Sequence, residues 1–136
     1  MSDTDLRRIK ILLIDDEPFI RLTIRQILVQ IGIPPSNLYD AGDVKAGLAE
    51  TLRVRPSLVL CDIHMPGDDG FAYVAKVHSA PIPEVAGIPV VMLTSDSGEE
   101  AVLTAKDHKV AGYLVKPVSI AAVKKSIERA LKVTLP

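Results

Sequence analysis

Carboxylates, hydroxyls and one amine stand directly after the apolar runs of this chain, and their types suit metal and phosphate chemistry. Asp15 and Asp16 follow Ile11-Leu12-Leu13-Ile14. Asp62 follows Leu58-Val59-Leu60-Cys61. Thr94 and Ser95 follow Val90-Val91-Met92-Leu93, and Lys116 follows Tyr113-Leu114-Val115. Brought together, three carboxylates repel one another, and without a partner some are pushed toward protonation. A hard divalent cation relieves this, and Mg2+ is commonly held by one or two carboxylates plus phosphate oxygens. Three aspartates and one lysine sum formally to about −2, which Mg2+ brings near zero. An aspartate carboxylate can also attack phosphorus. The metal and Lys116 would then hold the equatorial oxygens, and the Thr94 hydroxyl would donate to the attached phosphoryl.

Each residue has a plainer reading. Adjacent aspartates at a strand end often cap helices, a Lys-Pro after a strand is usually a loop, and a Thr there is usually a cap. What raises them above this is the elements that must carry them. The four apolar runs do not alternate with polar residues, as expected of strands buried on both faces of a helix-covered parallel sheet. Leu38-Tyr39, after Pro34-Pro35, suits a weaker edge strand. Between them lie helical periods: Ile20, Ile24, Ile27, Leu28 and Ile31, stopped by Gly32; Val44, Leu48 and Leu52, begun by Asp43; and Phe71, Val74 and Val77. Ser97 with Glu100 reads as a capping box opening a fourth helix, with Ala101, Val102 and Ala105 inward. Ile120, Val123, Ile127, Ala130 and Leu131, after Ser119, mark a fifth.

Strand then helix, five times over, predicts an α/β domain with right-handed crossovers. In such a sheet the carboxyl ends of the strands share one edge, where ligands bind. Residues about a hundred apart in sequence therefore meet in one pocket.

Composition narrows the remaining classes. The 136 residues suit one domain, with 48% hydrophobic and 24% charged residues and a net charge of −1. No basic excess points to nucleic acid. No apolar run approaches the roughly twenty residues of a membrane span, and the first ten residues lack the apolar core of a signal peptide. A cytoplasmic protein is expected. The single cysteine, Cys61, sits in an apolar run and reads as a small buried residue. His64, His78 and His108 show no metal-ligand spacing. Residues 1–8 are polar and expected to be flexible, with the domain running over 9–133. Residues 81–89, rich in Pro, read as a loop.

The chain resembles the receiver domains of bacterial two-component response regulators, especially the single-domain kind. The resemblance rests on Asp15-Asp16, on Asp62-Ile63-His64-Met65-Pro66-Gly67-Asp68-Asp69-Gly70, on Leu93-Thr94-Ser95, and on Tyr113-Leu114-Val115-Lys116-Pro117, in that order. It implies a flavodoxin-like (βα)5 doubly wound sheet of strand order 2-1-3-4-5. It implies Asp62 as the phosphoacceptor and Mg2+ as the cofactor, bound by Asp16 directly, by Asp15 through water, by Asp62, and by the His64 backbone carbonyl. Thr94, the Ser95 backbone and Lys116 would bind the phosphoryl. Thr94 and the Tyr113 ring would form the switch, while His64 and Asp96 would tune the phosphoryl lifetime. Gly70 and Pro117 would be structural, with a cis Lys116-Pro117 bond. Lys109 stands where the family often has Gly, at a cost of roughly 1 kcal/mol if φ is positive.

The function so implied is a phosphorylation-activated signalling switch, not a conventional enzyme. A sensor histidine kinase or histidine phosphotransfer protein would donate the phosphoryl. A downstream protein would read the face formed by the fourth helix, last strand and fifth helix. The chain ends soon after the fifth helix, leaving no room for a DNA-binding output, and no nucleic-acid or membrane partner is expected. Three alternatives stand beside it. One is a docking scaffold independent of phosphorylation, and another is a receiver fragment of a larger regulator or hybrid kinase. The third is a Mg2+-dependent phosphohydrolase, which the absence of an Asp-x-Asp loop and of a cap domain disfavours.

Overall fold

Three of the apolar runs form strands buried on both faces. β1 (Ile11–Ile14), β3 (Leu58–Asp62) and β4 (Val90–Thr94) are buried at every residue. The computed structural model, which describes residues 5–67, 69–95 and 109–136, adds β2 (Leu38–Ala41) and β5 (Gly112–Val115). All neighbours pair in parallel, in the order β2-β1-β3-β4-β5. The expected order and the edge position of β2 are both met.

Helices α1 (Pro18–Ile31), α2 (Val44–Val54), α3 (Gly70–His78), α4 (Pro83–Ala86) and α5 (Ile120–Leu131) complete the described fold. Their ends follow local chemistry. Asp43, Asp69 and Ser119 each accept a hydrogen bond from a backbone N–H three residues on, at 2.7, 3.0 and 3.1 Å. α1 starts with Pro18 and stops at Gly32, whose φ of 122° lies where side chains are strained. Residues Leu6–Arg8 form a 3-10 turn capped by Asp5.

The two-residue period of the strands sorts their side chains into two layers. Ile11, Leu13, Leu58, Leu60, Val91 and Leu93 face α1 and α5, meeting Ile24, Leu28, Val123 and Ile127. Leu12, Ile14, Val59, Cys61, Val90 and Met92 face Val44 of α2, Tyr73, Val74 and Val77 of α3, and Val85 of α4. Inside this second layer the Tyr73 and Thr51 hydroxyls lie 2.6 Å apart, and Thr51 also donates to the Gly47 carbonyl at 2.7 Å.

Three expectations are corrected, and a fourth lies beyond what the structure describes. β5 is not buried on both faces: Tyr113 and Val115 are exposed, because β5 is an edge strand and only Leu114 reaches the core. Leu52 and Ile120 lie on the right helices but face outward, at the margin of the apolar stripe. Residues 81–89 are not all loop, since α4 supplies a helical turn that buries Val85. The helix expected from Ser97, with Glu100, Ala101, Val102 and Ala105, lies outside the described residues, as do Asp68, Asp96 and His108.

Candidate functional site

The pocket is built from strand ends. Asp15 and Asp16 leave β1, Asp62 is the last residue of β3, Thr94 the last of β4, and Lys116 the first after β5. One carboxylate oxygen from each of Asp15, Asp16 and Asp62 lies within 4.8 Å of the others. Asp15 and Asp62 are nearly sealed from water, at 1% and 4% exposure, while Asp16 is partly open.

Asp15 is tied down at every polar atom. Its N–H donates to the Ala41 carbonyl of β2 at 3.1 Å, and its own carbonyl accepts from Arg21 Nη1. Its Oδ1 accepts from the Glu17 N–H at 2.9 Å, and its Oδ2 from Lys116 Nζ at 2.9 Å. Lys116 also lies 3.4 Å from Asp62 Oδ1. The Lys116 N–H donates to the Thr94 carbonyl at 2.7 Å, which extends the β4–β5 pairing to the pocket. The Lys116-Pro117 peptide is cis, as the resemblance implied.

The loop after Asp62 turns back at Gly70. The Ile63 N–H donates to the Leu93 carbonyl at 3.0 Å, and the Gly70 N–H to the Ile63 carbonyl at 2.8 Å. A Cβ on Gly70 would run into the Asp62 carbonyl oxygen and the Met92 methyl. Only glycine permits this approach, so α3 begins against the backbone of the candidate phosphoacceptor.

The electrostatics follow from burial. Burial raises the Asp62 pKa, and the charge of Asp15 adds to the rise; Lys116 and the His64 backbone N–H oppose it without cancelling it. Burial disfavours the Lys116 cation, yet its hydrogen bond to Asp15 and the Asp62 charge outweigh this and raise its pKa. Burial also pushes the Cys61 thiol up, helped by Asp62, so Cys61 is an inert packing residue.

Asp15, Asp16, Asp62, Thr94 and Lys116 are thus brought together. Ser95 follows on the exposed side, and His64 is exposed two residues beyond Asp62. Tyr113 is in register with Met92, so it shares a sheet face with Met92 and Thr94, but it is 38% exposed at the edge. Lys109 adopts a positive φ, 56°, the condition under which a lysine there costs more than glycine. Among the described residues no histidine joins the acidic group. Arg21 was missed; its only signal was a basic residue one turn into the helix that follows an acidic pair.

The family model for the response regulator receiver domain matches residues 11–128. The chain belongs to that family. Similar receiver-containing proteins include the chemotaxis protein CheY-3 of Vibrio cholerae, 27% identical over 90% of this chain and 92% of its own length. The transcriptional regulatory proteins DctD of Pseudomonas aeruginosa and PdtaR of Mycobacterium tuberculosis are each 31% identical. This chain, aligned over 91% and 90% of its length, spans only 25% and 56% of theirs. The crystal structure of chemotaxis protein CheY4 of Vibrio cholerae superimposes with a TM-score of 0.81 at 28% identity, over 90% of this chain and 98% of that one. A receiver domain is a signalling switch of two-component systems, and the Asp15, Asp16 and Asp62 group at the strand ends could hold a metal ion. No described helix is long and apolar enough to cross a membrane.

Proposed function

We propose that this receiver domain is a phosphorylation-activated switch with Asp62 as phosphoacceptor. The observation that carries the reading is the meeting of Asp15, Asp16 and Asp62 within 4.8 Å beside Lys116. A donor set of carboxylate oxygens fits Mg2+. Asp16 and Asp62 would hold it directly, with the His64 carbonyl. Asp15 would act through water, in keeping with its four hydrogen bonds to protein. When bound, Mg2+ supplies the charge that lets a phosphoryl group approach three carboxylates.

An Asp62 carboxylate oxygen attacks the phosphorus of a phosphohistidine or acyl phosphate. A new P–O bond forms, the bond to the leaving group breaks, and the leaving group keeps the electron pair. Lys116, released from Asp62 Oδ1, pairs with a phosphoryl oxygen, while the Thr94 hydroxyl and the Ser95 N–H bind others. Water later attacks the phosphorus, releasing phosphate and restoring the carboxylate, and the identities of His64 and Asp96 would tune how long the phosphoryl lasts. Thr94 shifting toward the phosphoryl draws the Tyr113 ring inward. A partner protein reads the face of β5, α5 and the helix expected from Ser97. The donor is a sensor histidine kinase or histidine phosphotransfer protein in the cytoplasm, and the switching unit is residues 9–133.

The test is incubation with Mg2+ and acetyl phosphate, followed by intact mass. One phosphoryl adduct, lost with EDTA and in Asp62→Asn, supports the switch. No adduct together with no Mg2+ binding overturns it in favour of a docking scaffold.

A further inference from the structure

Arg21 sits one turn into α1, its N–H donating to the Glu17 carbonyl at 3.2 Å. Its side chain runs back toward the strand ends. Nη1 donates to the Asp15 carbonyl, and Nε donates to Asp40 Oδ2 at 3.2 Å. Asp40 precedes Ala41, whose carbonyl accepts the Asp15 N–H. The guanidinium therefore closes a ring from α1 to β2 to the residue after β1, and it holds the peptide that joins Asp15 to Asp16. The Arg21 side chain is 20% exposed and Asp40 59%, so the bond to Asp15 is the sheltered one.

We propose that Arg21 is a positioning residue for divalent-cation binding. It touches no carboxylate of the acidic group. It fixes the plane of the Asp15–Asp16 peptide, and with it the direction in which the Asp16 carboxylate leaves the backbone. Partners of ligand residues that fix ligand orientation contribute to metal affinity in this way. The proposal rests on the reading of the pocket as a Mg2+ site.

Two effects of Arg21 have opposite signs, which makes the role measurable. As a nearby cation it repels Mg2+, so its loss would tighten binding. As a clamp it preorganises the ligands, so its loss would weaken binding. Mg2+ titrations by calorimetry on the full chain would compare wild type with Arg21→Met, Arg21→Lys, Asp40→Asn and Thr51→Val. Arg21→Met is expected to weaken Mg2+ binding about ten-fold. Arg21→Lys keeps the charge and one donor, and should recover about half of that loss on a logarithmic scale. Asp40→Asn, which touches only the exposed arm, should change affinity less than about three-fold. Thr51→Val, a destabilising change in the other layer of the core, should lower Tm and leave Mg2+ affinity unchanged. Arg21→Met binding Mg2+ as tightly as wild type, or more tightly, overturns the proposal. So does an equal loss in Thr51→Val, which would mean general loosening. If Arg21→Met does not fold, wild-type affinity in Arg21→Lys overturns it instead. Wild type that binds no Mg2+ sinks the underlying reading, and that outcome is distinct from a difference among variants.

Discussion

Asp62→Asn should stabilise the metal-free protein. The oxygens of Asp15, Asp16 and Asp62 lie within 4.8 Å of one another. At an effective dielectric constant of about 20, a like-charge pair at that separation costs about 3.5 kcal/mol. Asp62 takes part in two such pairs. Its one attraction, to Lys116 at 3.4 Å, returns about 5 kcal/mol on the same basis. The balance leaves the ionised Asp62 unfavourable by about 2 kcal/mol before the cost of burying it. Counterions and relaxation trim this, so a gain of about 1–2 kcal/mol is expected, or about 3–8 °C in Tm for a domain of this size. Thermal melts followed by far-UV circular dichroism in EDTA at low salt would measure it; there is no tryptophan to follow. The effect has a pH signature. A carboxyl whose folded pKa is raised contributes stability that is fully present below its unfolded pKa and lost as pH rises through its folded pKa. Wild type and Asp62→Asn should therefore converge as pH falls toward 4 and separate at neutral pH. Mg2+ at ten times its Kd should raise the wild-type stability by about 1.4 kcal/mol and the variant's by less. A variant less stable than wild type in EDTA at pH 7 would refute the reasoning, because the pocket would then be stabilised by its third carboxylate.

Three more outcomes follow from the geometry. Gly70→Ala drives a methyl into the Asp62 carbonyl and should cost about 1–3 kcal/mol or more, while also slowing acetyl phosphate labelling of Asp62 at temperatures where the protein stays folded; intact mass and urea melts read both. Thr51→Val strands the buried Tyr73 hydroxyl and should cost about 1–3 kcal/mol in urea unfolding, with Tyr73→Phe costing about 1 and the double variant less than the two together. Lys109→Gly relieves a side chain held at φ 56° and should raise stability by no more than about 1 kcal/mol in the same assay, leaving the phosphorylation rate unchanged.

The strands and the acidic pocket were legible because one pattern encodes both. A run of residues buried on both faces declares a central parallel strand, and the first polar residue after it declares the strand's end. That is why Asp62 and Lys116 could be placed together across 54 positions of sequence. The edge was less legible. Tyr113-Leu114-Val115 reads like the central runs, and nothing local says that β5 has a neighbour on one side only. Leu52 and Ile120 fit a helical period at its margin, where a small rotation of the helix decides between core and water. Lys116 could be placed in the pocket with Asp15 across 101 residues, but the bonds that Asp15 makes to Ala41 and Arg21 were out of reach, since those residues come from other elements and carry no local signal. Sequence spacing names the residues that carry charge; only the fold tells which hydrogen bonds hold them in place.

The same register that packs the core also sets the pocket, so the two cannot vary independently. Ile14 pairs with Cys61 and with Ala41, and the residues just beyond them are Asp15, Asp62 and Gly42. A slip of one residue in any strand would carry its buried side chains to the other face and its carboxylate out of the group. The core thus holds the carboxylates in a cluster that their own repulsion would open. Lys116 and the His64 backbone N–H oppose that repulsion, while burial, with the Asp15 charge added, still raises the Asp62 pKa. A site held this way would gain free energy from a cation that enters it, and in the proposed switch that gain would couple metal binding, and a phosphoryl group after it, to the strand ends and to whatever packs on them.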